Sequence, residues 1–159
     1  MKTIIYSILF VFISINTQAQ DTIDLAPFIG NWQWVDGNKT FTVEIYQNYD
    51  STNGNHLAGH YKMEETINNL TVTIYKSNRL FDHDNLIYGD ANTEIFFSGS
   101  IDDNTTQGYV TKRGYLRFNI LDTTPVTATW KVERYYGPRM DVEPANFNIP
   151  TDIILTKVD

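Results

Sequence analysis

The chain contains no cysteine. Disulfides, thiol nucleophiles, iron–sulfur clusters and cysteine-ligated zinc are therefore excluded, and there is no acceptor for a lipoprotein anchor. Histidine is almost as scarce, with three in 159 residues, so the usual nucleophile–base pairs have few candidates. There is no Gly-x-Ser-x-Gly elbow and no glycine loop of the phosphate-cradling type. Basic residues are also few: 12 Lys and Arg stand against 19 Asp and Glu, a net charge of −7. That balance disfavours phosphate backbones and anionic membranes, and no basic cluster opposes it, so nucleic acid is not an expected partner. Beyond the first twenty residues no apolar run approaches the roughly 20 that a membrane-spanning helix needs. Repeats, linkers and a second domain are missing too.

The first twenty residues are different in kind. MKTIIYSILFVFISINTQAQ carries one early charge, Lys2, then a nearly unbroken apolar run from Ile4 to Ile15, then small residues around Ala19. This is the order of a secretory signal, with cleavage expected after Ala19. Removal of residues 1–19 leaves 140 of the 159 and takes away Lys2 but no acid, so the mature chain carries −8. The expectation is one domain, residues 20–159, exported to periplasm or medium, soluble, and held together by its core alone.

What the mature sequence does contain is a period of two. Phe41, Val43 and Ile45 alternate with Thr42, Glu44 and Tyr46; Leu70, Val72 and Ile74 alternate with Thr71, Thr73 and Tyr75. The same rhythm runs through Ile95–Ile101, Leu116–Ile120 and Val126–Val132. Side chains on a strand point alternately to opposite faces, so each segment has one apolar and one polar side. Turn residues fall between them, as in Asp36-Gly37-Asn38 and Asn68-Asn69. Eight or nine strands follow, near 31–35, 40–47, 56–64, 70–76, 93–101, 107–112, 115–121, 126–134 and 152–158. Residues 23–28 read as one short helical turn, and 48–55 and 135–151 as longer loops. Many short strands of this kind make a sandwich or a barrel. Closure removes exposed edges, and eight strands enclose a space that side chains fill or one small ligand occupies. The fold class is all-β, a single antiparallel up-and-down barrel.

Candidate chemistry is thin. His56 and His60 are four apart, which on a strand separates them by roughly 13 Å, too far to share a metal bound at about 2 Å; both are expected in solvent. Asp82 and Asp84, with Asp90 nearby, form the densest oxygen cluster and the best available candidate for a hard cation, although the spacing fits no calcium loop. Asp- and Asn-rich loops also arise for turn reasons alone, so no metal and no cofactor is expected. Glu64 and Glu65 are adjacent, hence on opposite faces, and cannot flank one glycosidic bond. Aromatic residues, by contrast, are plentiful: ten Tyr, nine Phe and three Trp. Trp34, Tyr61, Phe97, Phe118 and Trp130 are placed inward by the period. Tyr135 and Tyr136 stand at the start of the proline-marked loop.

The opening FIGNW, after a short turn and before a hairpin, resembles the start of the calycin superfamily, the lipocalins and fatty-acid-binding proteins. That resemblance implies that Trp32 closes the barrel base, that Gly30 turns the chain into the first strand, and that a basic residue lies across the indole, here Arg134. The Thr-Asp-Tyr signature of lipocalins is absent. A resemblance over nearly the whole mature chain is to a family of small exported bacterial proteins of unknown function. They share an F-I-G-x-W opening, here Phe28 to Trp32, and a P-T-x-I-x-L-T-K ending, here Pro150 to Lys157. It implies a lipocalin-like barrel and no assigned activity. The leading expectation is non-enzymatic binding of a small, partly apolar ligand by the inward and mouth aromatics. The alternatives are a filled barrel whose loops bind an unknown protein partner, and an enzyme acting on a glycan.

Overall fold

The computed structural model describes residues 23–50, 54–77, 86–105, 112–134 and 146–158. The signal segment, Asp82, Asp84, Tyr135, Tyr136 and most of the strand expected at 107–112 lie outside them. The strands are β1 (Gly30–Asp36), β2 (Lys39–Asp50), β3 (Gly54–Ile67), β4 (Leu70–Lys76), β5 (Ile87–Ala91), β6 (Phe96–Asp103), β7 (Lys112–Leu121), β8 (Thr127–Arg134) and β9 (Asp152–Val158). No helix occurs among the described residues. In place of the helical turn expected at 23–28, Phe28 N donates to Leu25 O and Ile29 N to Ala26 O, a plain turn ahead of β1.

All pairings are antiparallel, and eight strands close into a ring in the order β1, β2, β3, β5, β6, β7, β8, β9. The ring closes where Asn31, Trp32 and Gln33 of β1 meet Val158, Lys157 and Thr156 of β9. β4 is not in the ring. β3 is 14 residues long, pairing through Leu57–Gly59 with β5 and through Lys62–Ile67 with β4. The β3–β4 hairpin thus continues past the rim of the barrel. The expected loop at 48–55 is mostly the paired ends of β2 and β3. The segment expected as one strand at 93–101 is instead the β5–β6 turn followed by β6, with Ile95 57% exposed at that turn.

The register explains the core. Phe41, Val43 and Ile45 of β2 lie opposite Met63, Tyr61 and Gly59 of β3, and all face inward. Phe97 of β6 faces Phe118 of β7, which in turn faces Trp130 of β8. Phe41, Phe97, Phe118 and Trp130 are completely buried, as are Leu57, Ile87, Ile101, Leu116 and Leu155. Burial of such side chains is the main force holding a chain that has no covalent cross-link.

Candidate functional site

The two ends of the barrel are built differently. At the lower end Trp32 is fully buried, its Nε1 donates to Phe28 O at 2.9 Å, and its ring meets Phe118 edge-on at 4.9 Å. Phe28 completes the plug against Phe97 and Phe118, with centroids 5.9 and 6.2 Å away. Edge-to-face packing of this kind is favourable beyond the area it buries. The cation across Trp32 is Lys157, with Nζ 5.4 Å from the ring centroid and donating to Pro27 O at 2.9 Å. Arg134, expected in that role, bonds Asn146 Oδ1 instead. β9 lies beside β1 in the closed ring whereas Arg134 ends β8 at the far rim, so only Lys157 can reach. Gly30 has φ +130°, and a Cβ there would sit 3.3 Å from Lys157 Cε. Its missing side chain therefore serves both the backbone turn and the lysine that crosses the indole.

At the upper end, residues 146–151 run across the opening. Trp130 Nε1 donates to Pro150 O at 2.8 Å, Val132 N donates to Thr151 O at 2.7 Å, and Ile149 is buried. Phe147 fits over Gly114, where a Cβ would come within 2.8 Å of its ring. Asp103 is fully buried and points into the barrel beneath this strap. Its carboxylate accepts Asn148 N at 2.7 Å, Thr105 N at 3.0 Å and Thr105 Oγ1 at 2.5 Å. Three such bonds are what a buried carboxylate needs to be tolerated. Tyr61 donates its hydroxyl to Asp102 O at 2.8 Å. Arg113 holds the Asp102 carboxylate through two bonds, at 2.7 and 2.9 Å. Tyr75 OH donates to Asn148 O at 3.3 Å. Burial, aided by the nearby Asp103 charge, pushes the phenols of Tyr61 and Tyr75 well above the usual tyrosine range.

The sequence-derived ligand residues therefore fall into two groups. Phe97, Phe118 and Trp130 are buried, with the Phe97 ring tilted against Phe118 at 5.6 Å and Trp130 edge-on to Phe41 at 5.8 Å. Tyr61 is buried as well and ties the wall to the β6 end. Of those that lie among the described residues, Trp34 alone is half-exposed, at the upper rim and packed on the core. Asp90 is exposed on β5 opposite Ser98. His56, expected in solvent, is 1% exposed, its ring 4.3 Å from that of Tyr88. His60 is half-buried and shares a 3.0 Å hydrogen bond with Tyr46 OH. Both still point away from the barrel interior, since Leu57, Gly59 and Tyr61 take the inner face.

Rim residues that the period alone did not single out are those of the β3–β4 hairpin. Through the pairings Trp34–Phe41, Phe41–Met63, Glu65–Val72 and Ile67–Leu70, one continuous face runs from the core up onto the hairpin. Ile67, Leu70 and Val72 on that face are 50, 70 and 54% exposed. Asn38 fixes the hairpin against the β1–β2 tip: its O accepts Thr66 N at 2.8 Å and its Nδ2 donates to Glu65 Oε1 at 3.1 Å. The result is an apolar lip on the upper rim, above Trp34, Met63 and Tyr75.

No curated protein and no solved structure matches the chain. One family model matches, over residues 1–158, and its description is "Family of unknown function (DUF6705)". With the match running essentially end to end, the chain belongs to this family of unknown function, DUF6705.

Proposed function

We propose that the protein is an exported, non-enzymatic binding protein that takes a partly apolar small molecule at the upper rim of its barrel. The observation that carries this reading is the lip. Ile67, Leu70 and Val72 extend the inner, core-forming face into solvent beside half-buried Trp34 and Tyr75. A concave apolar surface with a few fixed polar groups is the usual make-up of a small-molecule site, and the mouths of β-barrels are frequent places for it. Here the polar groups are Tyr75 OH, the Asn148 carbonyl that accepts from it, and the Lys39 and Glu65 side chains opposite each other on β2 and β3. The seat is at the rim rather than deep inside, because Phe97, Phe118 and Trp130 occupy the interior and each other's surfaces.

Trp34 supplies a direct test. Trp32 and Trp130 are fully buried and Trp34 is half-exposed, so an apolar probe bound at the lip changes emission from Trp34 alone. Titration with a long-chain fatty acid or an environment-sensitive apolar dye is expected to shift tryptophan emission to the blue and to saturate. Trp34→Phe removes the shift, and Leu70→Asp weakens binding at least about tenfold, the order expected from one misplaced charge on an apolar contact. If neither probe saturates and neither raises the melting temperature, the rim is not a small-molecule site. The filled interior would then favour the second reading, a scaffold that presents its hairpins to a protein partner.

A further inference from the structure

The outer edge of β4 has a property that the small-molecule reading does not use. β4 pairs with β3 on one side, and no described strand pairs with the other. Asn68 and Asn69, with φ of 51° and 65°, form a two-residue turn, which makes Ile67 and Leu70 a hydrogen-bonded pair. Antiparallel pairs alternate, so Glu65–Val72 is also hydrogen-bonded, while Thr66–Thr71 and Glu64–Thr73 are not. The 3.2 Å approach of the Thr66 and Thr71 hydroxyls fits that alternation, since side chains come closest in non-bonded pairs. The backbone N–H and C=O groups of Thr71 and Thr73 therefore point away from β3, toward the edge that is free of any partner strand among the described residues.

Natural sheets usually protect such an edge with charge, proline or a covering segment. This one has none of the first two: the six residues from Leu70 to Tyr75 contain no charged side chain and no proline. In a chain with 19 acidic residues and a net −7, it is a stretch where two copies can approach without repulsion. The pattern is also self-complementary about Val72. An antiparallel copy placed with its dyad there sets Thr71 opposite the other chain's Thr73, so the outward N–H and C=O groups exchange hydrogen bonds. The same placement sets Val72 opposite Val72 and Leu70 opposite Ile74, so every aliphatic of the strand meets an aliphatic. A dyad on Thr73 would instead set Leu70 against Lys76. We infer that the free edge of β4 pairs with the β4 edge of a second copy of this chain, across a two-fold axis at Val72.

The contact is small. The exposed aliphatics of one hairpin amount to a few hundred Å², below the roughly 800 Å² per partner of a standard stable interface. The dimer is accordingly weak and concentration-dependent, held by an isologous contact.

The absence of cysteine makes the test clean. Val72→Cys places one thiol on the dyad, in a non-hydrogen-bonded pair where cross-strand Cβ atoms are about 4.5–5.5 Å apart. Val35→Cys, at another exposed aliphatic position (63% exposed), reports random collision. Under a mild thiol oxidant at about 0.1 mM protein, Val72→Cys is expected to form disulfide dimer more than about tenfold faster than Val35→Cys. Thr71→Pro removes an N–H that points away from β3, so it leaves the hairpin ladder intact. Added to Val72→Cys, it should return cross-linking to the Val35→Cys rate, with an unchanged melting temperature confirming the fold. In sedimentation equilibrium of the cysteine-free chain, average mass should climb toward the dimer value by about 1 mM. Equal cross-linking rates at the two cysteines, or a chain that stays monomeric at that concentration, overturn the inference and leave the edge to a strand from another protein. Probe binding at the lip measured below about 1 µM, where such a weak dimer is dissociated, is unaffected either way.

Discussion

The lower plug and the upper rim are made of the same kinds of residue put to opposite uses. Below, Phe28, Trp32, Phe97 and Phe118 have no exposed surface, and every polar group the plug needs is supplied by backbone carbonyls and Lys157. Above, Trp34 and Tyr75 are half-covered, Ile67, Leu70 and Val72 are in water, and a carboxylate lies buried under a strap of six residues. A side chain adds stability in proportion to what it buries. One end is therefore where the fold is held, and the other is where apolar surface remains for a contact outside the barrel.

That contrast can be broken most forcefully at Phe118. Phe118→Ala opens a void among three rings and should cost about 3–5 kcal/mol, against less than about 0.5 kcal/mol for Leu70→Ala on the lip. Urea denaturation of both variants measures the difference; equal losses would erase the distinction between the ends. An intermediate effect belongs to the strap. Asp103→Ala leaves Asn148 N without its acceptor and should cost about 1–3 kcal/mol. Hydrogen exchange at the Asn148 amide should accelerate with it, while the Phe97 and Phe118 amides stay protected.

The smallest effect at neutral pH comes from the phenols. Tyr61 and Tyr75 hold their protons in the folded protein beyond the ordinary value of 10.0, because burial disfavours the phenolate. Above that pH the unfolded chain releases protons that the folded one keeps, so stability present below pH 10 falls as pH rises further. Tyr75→Phe should change stability at pH 7 by no more than about 1 kcal/mol, the size of one partly exposed hydrogen bond, yet flatten the alkaline decline in melting temperature. An unchanged alkaline slope would show that Tyr75 is not buried enough to matter.

The barrel is legible in the sequence because it rests on local signals, whereas the plug by Trp32 is what the calycin resemblance implies. A period of two, a Gly-containing turn and a ring two residues past Gly30 are all short-range. What failed was what depends on register and on which strand neighbours which. Leu70, Val72 and Ile74 carry the same alternation as the buried strands, and nothing local says that β4 leaves the ring. Lys157 rather than Arg134 reaches Trp32 because β1 closes onto β9, a pairing of residues more than 120 positions apart. The period does not mark β5, because Gly89 and Asp90 interrupt its apolar pattern; a Cβ at Gly89 would come within 2.7 Å of Gly99 Cα on β6, so close strand approach takes the place of alternation. The prolines predict a loop over 135–151, and its described part, 146–151, contains no strand. Its place over Asp103 is a tertiary fact with no local mark.

The seam between β1 and β9 has a consequence for how the molecule comes into being. Hairpins such as β1–β2 and β7–β8 join neighbours in the chain and can zip early, but the ring is incomplete until its last strand arrives beside its first. A polypeptide synthesised only as far as β8 presents two raw margins and an unguarded indole, and is the species most prone to clump. When β9 does dock, it adds the final ladder and lays Lys157 over Trp32 in the same movement, so cylinder and bolt are completed together.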